Sequence, residues 1–241
     1  MDEENMTDFS EEELAYQQKL REAEADAVSN ILKDGLNTEN VVEAAENAAG
    51  FAQAMRNKII DPQSPKIACK SKCHWCCHQS VGVFAPEVFR LTKYIKTSFS
   101  SKEQQALIKK IEAIDKNTRG KSPSQRAKLN IPCMFLVYGE CLVYEARPLA
   151  CGRQTSYDEN ACKKAKPNGF PFGSIESEKA HLVAYNASVQ GMVDGFQQIF
   201  PTAELEELEL TAAIFVALTD DTTIDRWVNG EQCFNECVLN T

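Results

Sequence analysis

The sequence predicts a mostly α-helical domain with one small β-hairpin beside a cysteine-rich metal site. Apolar residues recur at helical spacing over most of the 241 residues, and helix start and stop signals bound these stretches. Two short apolar runs flank Gly139-Glu140 in the pattern of a hairpin. Helical and strand patterns do not alternate along the chain, so a parallel sheet is not expected.

Residues 1–65 are expected to form an acidic N-terminal helical hairpin. Ser10, followed by three glutamates, is a typical helix start and predicts a helix over about residues 11–33. Thr38 is expected to cap a second helix, which ends before the Asp61-Pro62 turn.

Residues 66–172 are expected to form the cysteine-cluster, metal-binding region. Helices are predicted to begin at Pro86 and at the Ser100 capping box, and one helical turn is expected after Pro123. The hairpin is expected within residues 133–148, between the later cysteines.

Residues 173–241 are expected to form C-terminal helices that pack on the same core. One helix is predicted from Ser177, and a short final helix ends near Gly230. Between them, Pro201 is expected to begin a helix that contains Leu208.

The charges divide the chain into three parts. Residues 1–50 carry a net charge of −11 and residues 201–241 one of −8, whereas residues 51–200 carry +10. Either the acidic ends pack on the basic middle, or the middle presents a basic surface to an acidic protein or peptide partner. Nucleic acid is not expected as a partner, because the whole chain is acidic and the lysines of residues 90–128 are spread along helices.

Signal and membrane-spanning segments are not expected. The longest apolar run, AAIFVAL at residues 212–218, is short, and MDEENMTDFSEEE at the N-terminus has neither a basic nor an apolar stretch. We therefore expect a cytoplasmic protein. In a reducing cytosol, its ten cysteines are more often metal ligands, catalysts or buried small side chains than a disulfide framework.

Eight of the cysteines lie within residues 69–162, and the first four form the motif C-x3-C-x2-C-C. Structural zinc takes four sulfur or nitrogen ligands, and a [4Fe-4S] cluster takes four thiolates. Eight cysteines therefore suffice for two four-ligand sites, or for one site with structural cysteines around it. The candidate metal ligands are Cys69, Cys73, Cys76, Cys77, Cys133, Cys141, Cys151 and Cys162.

The first four cysteines raise a geometric question. In a straight helix, a rise of about 1.5 Å per residue would separate Cys69 from Cys76 by about 10 Å along the axis. The segment is therefore expected either to curl around one site as a loop or, as a straight stripe, to serve two. Neighbouring side chains point in different directions, so the adjacent Cys76 and Cys77 favour a division of roles.

The ordered pattern of residues 69–162 resembles the YkgJ-like cysteine-cluster family, whose members carry eight cysteines and are described as zinc- or iron-chelating domains. Flagellin lysine N-methylase belongs to the same group. In one departure from the family pattern, Gly152 stands between Cys151 and Arg153, where the arginine usually follows the cysteine directly. The resemblance is carried by C-x3-C-x2-C-C, Pro132-Cys133, Phe135-Leu136, Gly139, Cys141, Tyr144-Glu145, Arg147-Pro148, Cys151 and Cys162.

The resemblance implies a thiolate metal site with a structural or redox role. A [4Fe-4S] cluster is preferred because of the relation to an iron–sulfur methylase, and zinc is the alternative. Two other functions stay open: a SAM-dependent protein lysine methyltransferase or other protein-modifying enzyme, with SAM as cofactor, and a module in which metal folds an interaction surface. The sequence contains no Gly-x-Gly motif of the dinucleotide-binding type. The C-x3-C-x2-C spacing also resembles the cluster loop of radical SAM enzymes, but the pattern of a parallel barrel is missing.

Other residues near the cysteines have both functional and structural interpretations. His74 and His78 are expected to be polar neighbours of the site, with nitrogen ligation as the alternative. Cys233 and Cys237 are expected to share a helix face as buried small side chains. Acid–base candidates, each equally explained by packing or solvation, are Tyr138, Tyr144, Tyr157 and Asp158.

Overall fold

The computed structural model describes residues 9–170 and 174–239, most of which lie in α-helices, so the predicted fold class is confirmed. No helix in these two ranges has the length and apolar character needed to cross a membrane. The helices are α1 (Glu11–Leu32), α2 (Thr38–Ile59), α3 (Ala85–Ser98), α4 (Ser101–Thr118), α5 (Pro123–Lys128), α6 (Leu149–Arg153), α7 (Glu159–Ala165), α8 (Lys179–Ile199), α9 (Leu210–Thr219) and α10 (Thr223–Val228). The strands are β1 (Gly82–Val83), β2 (Leu136–Val137), β3 (Glu140–Cys141) and β4 (Leu208–Glu209).

Parts of the sequence predictions lie outside the described residues. These parts are residues 1–8 of the predicted N-terminal hairpin, residues 171–173, and residues 240–241. The boundary predicted between residues 172 and 173 falls within the second of these.

Local capping signals set most helix starts. The starts predicted at Ser10 and Ser100 are confirmed, each with a complete capping box. Helix α2 is capped by Asn37 rather than Thr38, because the Asn37 side chain accepts a hydrogen bond from the backbone N–H of Asn40.

Helix α8 packs along α1 and α2, and two glycines set its distance from α1. A Cβ on Gly191 would lie 2.5 Å from the carbonyl oxygen of Arg21, and one on Gly195 would lie 2.7 Å from Cβ of Val28. No side chain other than hydrogen fits at either position, so the two helices approach closely.

Helices α3, α4 and α9 form a second layer that shares one hydrophobic core with the first. Trp227 joins the layers, because it packs edge-on against Phe89 of α3 and Phe196 of α8 at ring-centroid distances of 5.5 and 6.0 Å. The cysteine-bearing segments in the centre of the chain are therefore attached to two layers of helices. The first layer is formed by the long helices α1, α2 and α8.

Exposed ion pairs join the acidic ends of the chain to its basic middle. Each contributes about 0–1 kcal/mol, since exposed pairs are screened by solvent. The pairs are Glu46–Lys93 at 3.4 Å, Asp221–Lys96 at 2.6 Å and Glu13–Lys179 at 3.5 Å.

The predicted hairpin is formed by β2 and β3, in which Leu136 pairs with Cys141. Its turn is Tyr138-Gly139 rather than Gly139-Glu140. Both turn residues have positive φ, 51° and 85°, which matches the twist of a two-residue hairpin turn.

The helix predicted from Pro201 does not form. Leu208 instead pairs with Val83 in the antiparallel β1–β4 sheet, and α9 begins only at Leu210. The Glu209 carboxylate caps α9 by accepting the backbone N–H of Ala212 at 2.9 Å. Pairing with a strand far away in sequence therefore overrides the helical spacing of the leucines.

Candidate functional site

The first cysteine segment is a loop that ends in a 3-10 turn, Trp75–His78, which carries two adjacent cysteines. A tight turn precedes it, with Lys72 at a positive φ of 66°. The segment is therefore not a straight helix. The axial separation that a helix would impose between Cys69 and Cys76 does not apply.

Helix α7 holds one side of this loop. Lys70 Nζ lies 2.8 Å from Glu159 Oε2, and Trp75 Nε1 donates to Glu159 Oε1 at 3.3 Å. These contacts fix the loop beside Cys162, which α7 carries. We call Cys69, Cys73, Cys76 and Cys162 the α7 group.

The thiols of the α7 group are electrostatic neighbours. Burial raises the pKa of Cys69, and the thiols of Cys73, Cys76 and Cys162 raise it further. Burial likewise raises the pKa of Cys73, with added effects from Cys76, Glu159 and Cys162. The thiols of Cys69 and Cys73 therefore favour their protonated forms on their own, and a bound cation would reverse that preference.

The other side of the 3-10 turn is joined to the hairpin. The backbone N–H of Cys133 donates to the carbonyl oxygen of Cys77 at 2.7 Å, and that of Leu136 donates to Cys133 at 3.0 Å. Cys141 lies opposite Leu136 in the hairpin, and Cys151 comes from α6. We call Cys77, Cys133, Cys141 and Cys151 the hairpin group.

Thiols of the hairpin group also influence one another. Burial raises the pKa of Cys133 to about 11, and the thiol of Cys141 adds to this effect. Burial raises the pKa of Cys151 well above its ordinary value, and Cys133, Cys76 and Cys141 raise it further. Four such groups can share one small space as thiolates only when a cation binds them.

Three basic side chains lie near the hairpin group. Lys110 and Arg126 lower the pKa of Cys133, and Arg147 lowers the pKa of Cys151. In each case this effect opposes the increase that burial causes. Four thiolates around a divalent ion or a [4Fe-4S] cluster leave a net negative charge. Nearby cations offset such a charge.

Cys76 and Cys77 join the two groups. The hydrogen bond between their side chains lowers the pKa of Cys76 to about 7 and raises that of Cys77. The α7 group and the hairpin group therefore meet at two consecutive residues of one turn.

Helix α3 positions the segment that leads to Cys151. The Glu87 carboxylate accepts the backbone N–H of Leu149 at 2.9 Å, and Arg90 Nη1 donates to the carbonyl oxygen of Ala146 at 3.1 Å. Sequence patterns did not single out Glu87 and Arg90, because their partners lie more than fifty residues away along the chain.

Gly152, the residue at which the chain departs from the family pattern, lies against α8. A Cβ on Gly152 would lie 2.2 Å from Cε1 of Tyr185, so only glycine allows this contact. Arg153 then points to α8, where its Nη1 donates to Asn186 Oδ1 at 2.9 Å. The extra residue thus anchors α6, and with it Cys151, on α8.

Three consecutive residues after Cys77 have buried polar atoms without a hydrogen-bond partner: Nδ1 of His78, Nε2 of Gln79 and Oγ of Ser80. Buried polar atoms in folded proteins are nearly always bonded. Amide, imidazole and hydroxyl groups are the donors that commonly bond to metal-bound sulfur. His74, in contrast, is bonded through Nδ1 to a loop carbonyl at 2.9 Å.

All ten cysteines are free thiols, so the chemistry of the donor set fits a thiolate-bound metal. The unbonded atoms after Cys77 fit it as well. Within residues 9–170 and 174–239, however, no three His, Cys, Asp or Glu side chains converge closely enough to hold a metal ion. Metal binding would therefore require the sulfurs to move closer to one another. Rotation about a single torsion angle, χ1, moves each sulfur.

No family model, no curated protein and no solved structure matches the chain. The resemblance to the YkgJ-like family therefore rests on the cysteine pattern, and it stays a prediction.

The acid–base candidates have structural surroundings of different kinds. Asp158 caps α7, since its Oδ1 accepts the backbone N–H of Asn160 at 2.8 Å. Tyr138 and Tyr144 are 96% and 57% exposed, and Tyr157 is half-buried. Solvation explains the first two tyrosines and capping explains the aspartate.

The last two cysteines do not share a helix face. Cys233 lies in a loop, and Cys237 ends a short 3-10 turn in which it is 2% exposed. Nη1 of Arg119 lies 3.6 Å from the Cys237 sulfur. The predicted helix is wrong, but the predicted burial of a small side chain is confirmed for Cys237.

Proposed function

We propose that this protein binds metal through its eight central cysteines, with a [4Fe-4S] cluster preferred and zinc as the alternative. One observation supports the proposal: eight free thiols come from the loop that ends in the 3-10 turn, from the segment of β2 and β3, and from the short helices α6 and α7. Sulfur donors suit both candidates, so the preference for iron rests on the family resemblance.

A bound metal would first of all stabilise the centre of the molecule. Between α2 and α3, and again between α5 and α8, the described chain forms only short helices and two-residue strands. Structural zinc contributes about 10–16 kcal/mol in small peptides, whereas the whole stability of a domain is about 5–15 kcal/mol. A thiolate-bound group would therefore determine much of the stability of these segments, and a [4Fe-4S] cluster could also transfer an electron.

Anaerobic purification, followed by metal and acid-labile sulfide analysis and a visible spectrum, tests the proposal. Iron and sulfide in equal amounts would support a cubane cluster. Zinc without sulfide would support metal binding but overturn the preferred metal. A purified protein with neither metal would contradict the proposal, and SAM retained through purification would instead support the methyltransferase alternative.

Cysteine variants give the matched control. We expect Cys73→Ala and Cys151→Ala to lower metal content and solubility together, because each removes a thiolate and leaves the others underligated. Cys233 lies outside both groups, so Cys233→Ala should retain the metal content of the unaltered protein. Full metal occupancy in the first two variants would contradict the ligand assignment.

We also propose a second function, in which the metal-supported hairpin binds an acidic protein or peptide. The exposed aromatic side chain of Tyr138 at the hairpin turn favours it, since aromatic residues are enriched in binding surfaces and this one is 96% exposed. Lys163 and Lys164 of α7 are also exposed. Binding of a poly-glutamate peptide should weaken with added salt and with Tyr138→Ser, but not with Tyr16→Ser on α1. Equal binding by both variants would contradict this proposal.

A further inference from the structure

We infer that the eight cysteines form two separate four-thiolate sites, with the α7 group in one and the hairpin group in the other. The boundary falls between Cys76 and Cys77. This inference rests on the proposed metal-binding function and assigns the ligands within it.

The backbone connections of the loop support the first site. The loop is held by helix α7 and the residues just before it: the backbone N–H of Ala68 donates to the carbonyl oxygen of Ser156 at 2.8 Å, and Glu159 binds both Lys70 and Trp75. The ammonium groups of Lys163 and Lys166 each lie 5.8 Å from the centre of the Trp75 ring. Loop and helix are therefore connected in one unit, which contains all four cysteines of the α7 group.

A different set of connections supports the second site. The 2.7 Å hydrogen bond from Cys133 to the carbonyl oxygen of Cys77 attaches the end of the turn to the hairpin, and strand pairing places Cys141 beside them. Cys151 reaches this side because Gly152 lets α6 pack on Tyr185. These four cysteines belong to a unit that α3 and α8 hold in place.

The geometry of the turn explains how adjacent cysteines serve different sites. A 3-10 helix has about three residues per turn, so side chains of successive residues point about 120° apart around its axis. Cys76 and Cys77 both lie in the Trp75–His78 turn. In the structure the two side chains are hydrogen-bonded to each other, so rotation about χ1 must part their sulfurs before one faces α7 and the other faces the hairpin.

The backbone connections thus divide the chain around the cysteines into a unit of loop and α7 and a unit of hairpin and α6. The division thus leaves four cysteines on each side, the number that either zinc or a [4Fe-4S] cluster takes.

Paired double variants test the inference through the ratio of bound metal to protein. We expect Cys73→Ser/Cys162→Ser, both in the α7 group, to retain about half the metal of the unaltered protein. We expect Cys73→Ser/Cys151→Ser, which removes one cysteine from each group, to retain almost no metal. Both double variants remove two cysteines, so a difference between them reports how the cysteines are grouped. Cys76→Ser should behave as the α7-group variants do. The control is Cys233→Ser, which should retain as much metal as the unaltered protein.

Two results would overturn the inference. One is loss of nearly all metal from Cys73→Ser/Cys162→Ser, and the other is equal retention by the two double variants. Metal-free unaltered protein would instead contradict the proposed function itself, so the two failures are distinguishable.

A measurement on the unaltered protein keeps the test valid if a variant does not fold. Native mass spectrometry of the anaerobically purified chain counts the bound ions or clusters directly. We expect two bound groups per chain, and two successive mass losses as a chelator removes them. One bound group per fully loaded chain, lost in one step, would overturn the inference.

Discussion

Glu24 is a carboxyl group buried in the packing of α1 against α2 and α8. Its side chain is fully buried, and its hydrogen-bond donor is Nδ2 of Asn47, at 3.1 Å from Oε1. Burial raises the pKa of Glu24 to about 7, and the hydrogen bond from Asn47 lowers it only in part. A single residue in the most regular part of the fold thus makes the stability depend on pH.

Glu24→Gln is expected to remove a pH dependence of the free energy of unfolding. The folded-state pKa of about 7 lies above the unfolded value of 4.5, so the folded state holds the proton more tightly. The protonated carboxyl contributes up to about 3 kcal/mol to the free energy of unfolding. This contribution is fully present below pH 4.5 and is lost as the pH rises to about 7.

Urea unfolding at pH 5 and pH 8 measures this effect as the difference between the two proteins. The variant should gain stability relative to the unaltered protein at pH 8. Other titrating groups cancel in the comparison, because both proteins contain them. The same change with pH in both proteins would show that Glu24 is ionised in the fold without penalty.

At the scale of elements, the contact between α1 and α8 depends on two positions without side chains. Gly191→Ala and Gly195→Ala should each lower the free energy of unfolding by about 1–3 kcal/mol, because the added methyl group meets α1 at less than 3 Å. Gly50→Ala in α2 is the control, since nothing lies within 4 Å of its added Cβ. That variant should gain up to about 1 kcal/mol from helix propensity. Urea unfolding of all three variants checks the prediction. A higher free energy of unfolding in Gly191→Ala or Gly195→Ala would contradict the close packing.

Sequence reasoning predicted elements whose signals are local and missed those whose partners are distant. The capping boxes at Ser10 and Ser100 involve residues three positions apart, so the sequence alone was sufficient. Leu208 has the spacing of a helix but pairs with Val83, which no local pattern shows. The cysteines follow the same rule: their number and the adjacency of Cys76 and Cys77, which favours a division of roles, are readable from the sequence, whereas the proposed grouping depends on how distant segments dock.

At the scale of the whole molecule, regular structure and cysteine content are separated in space. The long helices α1, α2 and α8 carry no cysteine, and the central segments carry eight. If the proposed metal binds, stability should therefore be distributed unevenly between a helical part, held by apolar packing, and a central part, which the metal would hold.

Metal removal should loosen the centre before the helices. After treatment with a strong chelator, we expect hydrogen exchange to rise first in residues 66–81 and 129–170, while the amides of α1, α2 and α8 stay protected. Within the centre, the α7 group should release the proposed metal first, because the surface of Cys69 is exposed to solvent even though neighbouring atoms partly desolvate its thiol. Uniform loss of protection along the chain would contradict a separate helical part.

The two tryptophans lie in these two parts of the molecule. Trp75 is partly exposed and lies in the cysteine loop next to Glu159, whereas Trp227 is 2% exposed in the core, where its Nε1 donates to the carbonyl oxygen of Glu204. Iodide should therefore quench the emission of Trp75 far more than that of Trp227. With Trp75→Phe and Trp227→Phe as single-tryptophan proteins, fluorescence would follow the cysteine loop and the helical core separately in one unlabelled chain.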